Sequence, residues 1–130
     1  MNFEMLPIIM RDQHLGVLEF EDIPFWPKRI YWLYRLSPDS MRGSHAHKTL
    51  KQFFWAASGT VSIELLDGEE SETVHLTSNT YGLLLEPGMW RNLYNFSEDA
   101  VILVAADQRY DEQDYIRKWD DYCEWIKHVK

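Results

Sequence analysis

Between residues 5 and 107 the apolar side chains come in short runs separated by turn residues, the pattern of strands and not of helices. The runs fall at 15–20, 30–36, 52–57, 61–66, 72–76, 81–85, 90–96 and 101–106. The run at 30–36 has the aromatic and branched residues that fit a pleated surface. Two prolines interrupt Ile23-Pro24-Phe25-Trp26-Pro27, and Ser37-Pro38-Asp39-Ser40 reads as a turn. Ser58-Gly59 is a tight connection, and Asp67-Gly68 is a hairpin signal that pairs 61–66 with 72–76. The last segment differs. Tyr115, Ile116, Trp119, Tyr122, Cys123, Ile126 and Val129 share one helical face, which predicts a helix within 111–130. Asp111, Glu112 and Asp114 then suit the positive end of its dipole. Many short strands closed by one terminal helix predict an all-β fold. The expected architecture is a small jelly-roll or β-sandwich barrel with a C-terminal α-helix, residues 1–130 forming a single domain.

Six Trp, seven Tyr and six Phe supply enough apolar surface for a proper core, which excludes a disordered chain. The net charge of −8 argues against a general nucleic-acid binder with a broad basic face. It leaves room for a small anion held by a few local Arg and Lys. Cys123 is the only cysteine, so neither an intramolecular disulfide nor a cysteine-based zinc cluster can form. The opening MNFEMLPIIM lacks the basic start and long apolar core of a signal peptide, and no apolar run is long enough to span a membrane. The expectation is a cytoplasmic protein with no membrane and no nucleic-acid partner.

Candidate chemistry concentrates in Arg42-Gly43-Ser44-His45-Ala46-His47-Lys48. On a strand, His45 and His47 share a face with Thr49, while Ala46 and Lys48 point the other way. Two adjacent imidazoles can bind a metal or move a proton near neutral pH. The surroundings resemble the cupin superfamily: Gly43, His45, His47, Gln52 and Gly59 follow its first motif, and Gly82, Pro87, Gly88, Arg91 and Asn95 its second. Gln52 stands where a ligand Glu would be, and Arg91 near the place of a third His. Gln is a poor ligand, Arg is a permanent cation, and two histidines alone hold a divalent ion weakly. Glu86, Asp39 and His75 are other ligand-type side chains, the last on a distant hairpin. The expectation is no metal and no cofactor. Without a metal, a neutral imidazole can take a proton from a carbon beside a carbonyl. The resulting enolate needs a donor, for which Arg42, Arg91, Tyr34 and Tyr81 are candidates.

The longer wording is more specific. Tyr31-Trp32-Leu33-Tyr34, the histidine segment with Gln52, Pro87-Gly88-Met89-Trp90-Arg91 with Asn95-Phe96, and Tyr110 to Arg117 resemble, in order, the sugar nucleotide 3,4-ketoisomerases. That resemblance implies a small cupin converting dTDP-4-keto-6-deoxyglucose to a 3-keto-6-deoxyhexose without a metal. The product would pass to an aminotransferase making a 3-amino sugar for surface polysaccharide. It also implies a homodimer with exchanged strands. Carried onto this chain, His47 is the principal base with His45 its partner, Tyr34 lies by the sugar oxygens, and Arg42 and Arg91 contact the sugar or enediolate. Gln52 completes the substrate-binding set. Lys48, Lys51, Arg35 and Arg91 are the nearest cations for the diphosphate. Phe53-Phe54-Trp55 is read as core and dimer contact, Cys123 as a small buried hydrophobe, and His14, His75 and His128 as ordinary surface or turn residues. Two other readings stand beside this one: a metal-dependent cupin such as a dioxygenase, and a non-catalytic sugar-nucleotide-binding cupin.

Overall fold

The computed structural model describes residues 1–130 apart from Ile9, Arg11 and Lys130. In chain order the described residues form β1 (Phe3–Pro7), β2 (Arg29–Tyr34), β3 (Arg42–His47), β4 (Gln52–Ser58), β5 (Thr60–Leu66), β6 (Ser71–Thr77), β7 (Tyr81–Leu85), β8 (Trp90–Tyr94), β9 (Val101–Ala106), β10 (Tyr115–Ile116) and α1 (Trp119–Val129). Two five-stranded antiparallel sheets result, in the orders β1-β7-β4-β9-β2 and β10-β3-β8-β5-β6. This is a mostly-β sandwich of cupin type with one C-terminal helix.

Strand alternation decides what fills the space between the sheets. Ile102 and Val104 of β9 face Val61, Ile63 and Leu65 of β5 across a core that also holds Leu83, Leu85 and Phe96. The outer faces are covered by different devices. Helix α1 lays Tyr122 and Ile126 over the second sheet, against Ala46, Trp90 and Ile116. The Tyr122 hydroxyl donates to the Gly88 carbonyl at 2.7 Å, tying the helix to the turn before β8. On the first sheet, Leu18, Ile23 and Phe25 pack over Phe53 and Ala105.

Two expected elements come out differently. Residues 15–20 form no strand: Leu15 makes an isolated bridge to Asp12, and a 3-10 turn follows at Phe20–Asp22. β1, not singled out in the sequence, takes the free edge of β7, and this segment instead crosses the outer face of that sheet. The terminal helix starts at Trp119 and not near Asp111. Tyr115 and Ile116 are drawn into the second sheet opposite His47 and Ala46, and Asp111 caps a 3-10 turn just before them. Asp111, Glu112 and Asp114 are therefore not helix-dipole charges. The expected end of the helix at Lys130 lies outside the described residues.

The register that matters most is β3 on β8. Arg42 pairs with Leu93, Gly43 with Asn92, and then a bulge shifts the ladder so that His45 lies opposite Arg91. Gly43 sits at φ 86°, and a Cβ there would come 2.9 Å from the Arg91 carbonyl oxygen.

Candidate active site

A cavity of about 500 Å3 opens between the sheets, lined by Arg29, Tyr31, Leu33, Met41, Arg42, Gly43, His45, Phe54, Arg91, Leu93, Tyr115 and Arg117. β2 contributes its odd-numbered residues, while Ile30, Trp32 and Tyr34 point outward and are exposed. Among the described residues four guanidinium groups line the cavity and no carboxylate does. In a chain of net charge −8 that is a local reversal of sign.

Arg91 is completely enclosed. Its Nε and Nη2 donate to the Met89 carbonyl at 3.4 and 3.2 Å, and its Nη1 donates to the Gln52 side-chain oxygen. Because a guanidinium only donates, Gln52 must turn its oxygen to Arg91 and its amide NH2 to Tyr31, whose hydroxyl oxygen lies 2.9 Å away. The Tyr31 oxygen thus accepts, and its own proton remains available to a group in the cavity. Burial pushes the Tyr31 hydroxyl above its ordinary range, so it stays a donor. Burial lowers Arg91 to about 10, which leaves it a cation at neutral pH.

The two imidazoles meet edge to face, with centroids 4.9 Å apart at 88°. The Tyr115 ring packs on both, 5.0 Å from His45 and 4.3 Å from His47. His45 Nδ1 lies 3.0 Å from the Gly43 carbonyl, and His47 Nδ1 lies 3.0 Å from the Asp114 carboxylate. Both partners only accept, so each ring carries its proton on Nδ1 and a lone pair on Nε2. His47 Nε2 is buried and has no hydrogen-bond partner among the described residues. Burial, then the Arg91 charge, holds His45 down to about 4, and the same two causes depress His47 against the upward pull of Asp114. Both rings are therefore neutral bases near pH 7.

The rim is organised by Arg117. Its guanidinium is 4.1 Å over the Tyr115 ring and forks onto Glu112 at 2.6 and 2.8 Å. The Tyr110 hydroxyl donates to the same carboxylate. These bonds keep Glu112 ionised down to about 2. The carboxylate neutralises Arg117, while Arg29 and Arg42 make no ion pair among the described residues. Arg29 Nε is buried without a hydrogen-bond partner, the guanidinium lying 5.6 Å from the Tyr31 ring and 5.7 Å from the Tyr110 ring.

The structure brings His45, Arg42 and Arg91 together at the cavity, with Gln52 bound to Arg91 and His47 packed behind His45 and Tyr115. It does not bring Tyr34, Arg35, Lys48 or Tyr81 there. Tyr34 faces outward from β2, and Arg35 lies 5.8 Å over its ring. Lys48 borders a separate depression near Trp125 and Pro87, and Lys51 is 3.8 Å from Glu86. Sequence reasoning missed Tyr31, Arg29, Tyr115, Arg117 and Asp114. For Tyr31 the signal was strand phase: one residue of shift exchanges the two faces, and Tyr31 and Tyr34 lie on opposite ones. Phe53 and Phe54 are core as read, Trp55 is half-buried over the outer face, and Cys123 is only partly covered on α1.

Among the described residues no three His, Cys, Asp or Glu side chains gather as metal ligands. No described helix is long and apolar enough to cross a membrane. A cupin-type sandwich with two neutral imidazoles beside a cavity lined by guanidinium groups is chemically able to hold an anion and to accept a proton. The chain belongs to the FdtA family (WxcM-like, C-terminal), whose pattern matches residues 2–127. It is 34% identical over 128 residues to the TDP-4-oxo-6-deoxy-alpha-D-glucose-3,4-oxoisomerase of Aneurinibacillus thermoaerophilus, covering 98% of this chain and 91% of that one. It is similar in structure to a His-to-Asn variant of the 3,4-ketoisomerase QdtA from Thermoanaerobacterium thermosaccharolyticum in complex with TDP-4-keto-6-deoxyglucose. There the identity is 35% and the TM-score 0.91, over 98% of this chain and 95% of that one. A 3,4-ketoisomerase from Helicobacter canadensis matches at 37% identity and TM-score 0.91, over 98% of each chain.

Proposed function

We propose that this chain is a sugar nucleotide 3,4-ketoisomerase acting on dTDP-4-keto-6-deoxyglucose and yielding a 3-keto-6-deoxyhexose. The observation that carries the reading is the pair of neutral imidazoles beside a cavity lined by four guanidinium groups and no carboxylate. The hydrogen on C3 is acidified by the C4 carbonyl. Removing it gives an enediolate over C3 and C4 whose negative charge lies on oxygen. Arg91 and the free Tyr31 hydroxyl proton are donors placed to stabilise that charge. Returning the carbon proton to C4, with the hydroxyl proton moving from O3 to O4, leaves a C3 ketone. Atoms and electrons balance with no external oxidant or metal.

His47 is the base in this scheme and His45 its partner, with Arg42 contacting the sugar. The orphaned acceptor at His47 Nε2 supports that order, since a buried lone pair without a donor awaits a ligand. Arg29 and Arg42, unpaired with carboxylates, take the diphosphate in place of Lys48 and Arg35. Residues 1–130 act as one catalytic domain in the cytoplasm, and the product feeds an amino-transfer step toward a 3-amino sugar for surface polysaccharide. The working form is a homodimer. β1 pairs with β7 over five residues, and an exchange would place the partner's copy of that strand there. The outward Ile30 and Trp32 of edge strand β2 support such a contact.

The test is solvent-deuterium incorporation at C3 of dTDP-4-keto-6-deoxyglucose by chelator-treated protein. Exchange in the wild type, abolished by His47→Asn, is expected. Absence of exchange, or exchange restored only by an added divalent metal, overturns the reading.

A further inference from the structure

We propose that Asp114 is a positioning residue that holds the proton of His47 on Nδ1 and so makes Nε2 the base. The inference deepens the acid–base reading above and rests on it. Asp114 lies far from His47 in sequence and reaches it because β10 begins at the next residue, with Tyr115 opposite His47. One carboxylate oxygen, Oδ2, is 3.0 Å from His47 Nδ1. The other, Oδ1, accepts from the Thr49 backbone N–H and from the Thr49 hydroxyl, both at 2.8 Å. The Asp114 carbonyl also accepts the Lys48 N–H at 3.0 Å. The group is thus held from both sides of the turn after β3.

Donor and acceptor counting makes the side-chain type decisive. A backbone N–H can only donate, so the atom facing Thr49 N must accept. A carboxylate accepts from Thr49 and from His47 together, whereas an amide cannot. In an asparagine whose oxygen serves Thr49, the NH2 faces His47 Nδ1. The ring must then present its lone pair at Nδ1, which moves the proton to Nε2 and removes the base. A carboxylate that only tied the Thr49 turn to β3 would cost stability when replaced but would leave the tautomer alone.

The experiment uses the full chain labelled with 15N at histidine and reads the ring-nitrogen shifts near neutral pH. In the wild type His47 is expected with Nδ1 protonated and Nε2 bare. Asp114→Asn is expected to reverse the two nitrogens and to lower kcat roughly 10²–10⁴-fold while KM stays within about threefold. Thr49→Val keeps the Asp114 contact and is expected to keep both the tautomer and kcat within about tenfold of wild type. A wild-type His47 protonated on Nε2 overturns the proposal, whether or not any variant folds. So does Asp114→Asn that retains the Nδ1–H form, or Thr49→Val that loses it. The tautomer readings need no substrate, so a failure of the isomerase reading shows separately, as absent exchange at C3 in the wild type.

Discussion

Arg91 and Gln52 lock together at the floor of the cavity, guanidinium to side-chain carbonyl, at the two positions where a metal-binding cupin would be expected to have ligands. The enclosed cation faces both imidazoles and lowers each of them, second only to burial. Replacing it with an apolar chain of similar reach removes the largest cause after burial. Arg91→Met should therefore raise the titration of His45 from about 4 toward its ordinary 6.5, with His47 moving the same way. Ring-proton NMR titration of the variant checks this, and unchanged midpoints would show that Arg91 does not set the neutral state.

The depressed histidines also fix the sign of the acid response. In the unfolded chain each takes up a proton near 6.5, whereas in the fold His45 waits until about 4. Between those values the unfolded state binds more protons, so stability is full above the unfolded pKa and falls as the pH drops toward the folded one. Each imidazole still neutral in the fold contributes a slope of about 1.4 kcal/mol per pH unit over that range. Asp114, held below its ordinary 3.8 by its bonds from Thr49 and His47 against burial, adds a further loss at lower pH. Urea denaturation at about pH 7, 6 and 5 should show the decline. Equal stabilities at all three would contradict the buried neutral pair.

Much of the sandwich was legible because strand periodicity survives wherever one face is buried. The runs at Tyr81–Leu85 and Val101–Ala106 became β7 and β9 with the bounds read from sequence. The stretch from 111 to 116 was not legible. Tyr115 and Ile116 fit a helical face as well as a strand, and only their pairing with His47 and Ala46 decides between them. The same long-range pairing hid Asp114, which looks like a helix-start charge until the donors of Thr49 and His47 claim it. The two histidines were readable from strand alternation, and Arg42, Gln52 and Arg91 from the resemblance of the surrounding motifs to known cupins. Arg29 and Tyr31, the cation and the tyrosine that β2 supplies, depend on strand phase, which short aromatic runs leave undefined.

Strand phase can itself be tested in solution. Tyr31 faces the cavity with a donatable proton, and Tyr34 is 54% exposed on the opposite face. Tyr31→Phe should lower kcat roughly 10–10³-fold, the range of a lost transition-state donor. Tyr34→Phe should stay within about twofold of wild type. Steady-state isomerisation rates of the two variants decide, and the reverse ordering would mean that β2 presents its other face to substrate.

The unpaired cations at the rim predict a binding defect distinct from a chemical one. Arg29→Gln and Arg42→Gln each remove a charged donor that no carboxylate among the described residues neutralises. Loss of one charge-assisted hydrogen bond to a diphosphate costs about 1.5–3 kcal/mol, or roughly 10–100-fold in affinity. Calorimetric titration with TDP should show that loss and a weaker salt dependence. Wild-type affinity in both variants would move the diphosphate elsewhere.

Gly43 links backbone geometry to the imidazoles. Its φ of 86° is a conformation that side chains resist, and a Cβ there would meet the Arg91 carbonyl oxygen at 2.9 Å, on the strand that faces β3. Neither obstacle can be relieved without moving β3 from β8, and the bulge after Gly43 is what sets His45 opposite Arg91. Gly43→Ala should therefore destabilise the fold by about 1–3 kcal/mol. It should also displace the imidazoles from Arg91, so that His45 titrates above about 4 in whatever fraction stays folded. Thermal denaturation read together with the NMR titration separates the two effects. A stable variant with unshifted histidines would show that the β3–β8 register does not depend on this glycine.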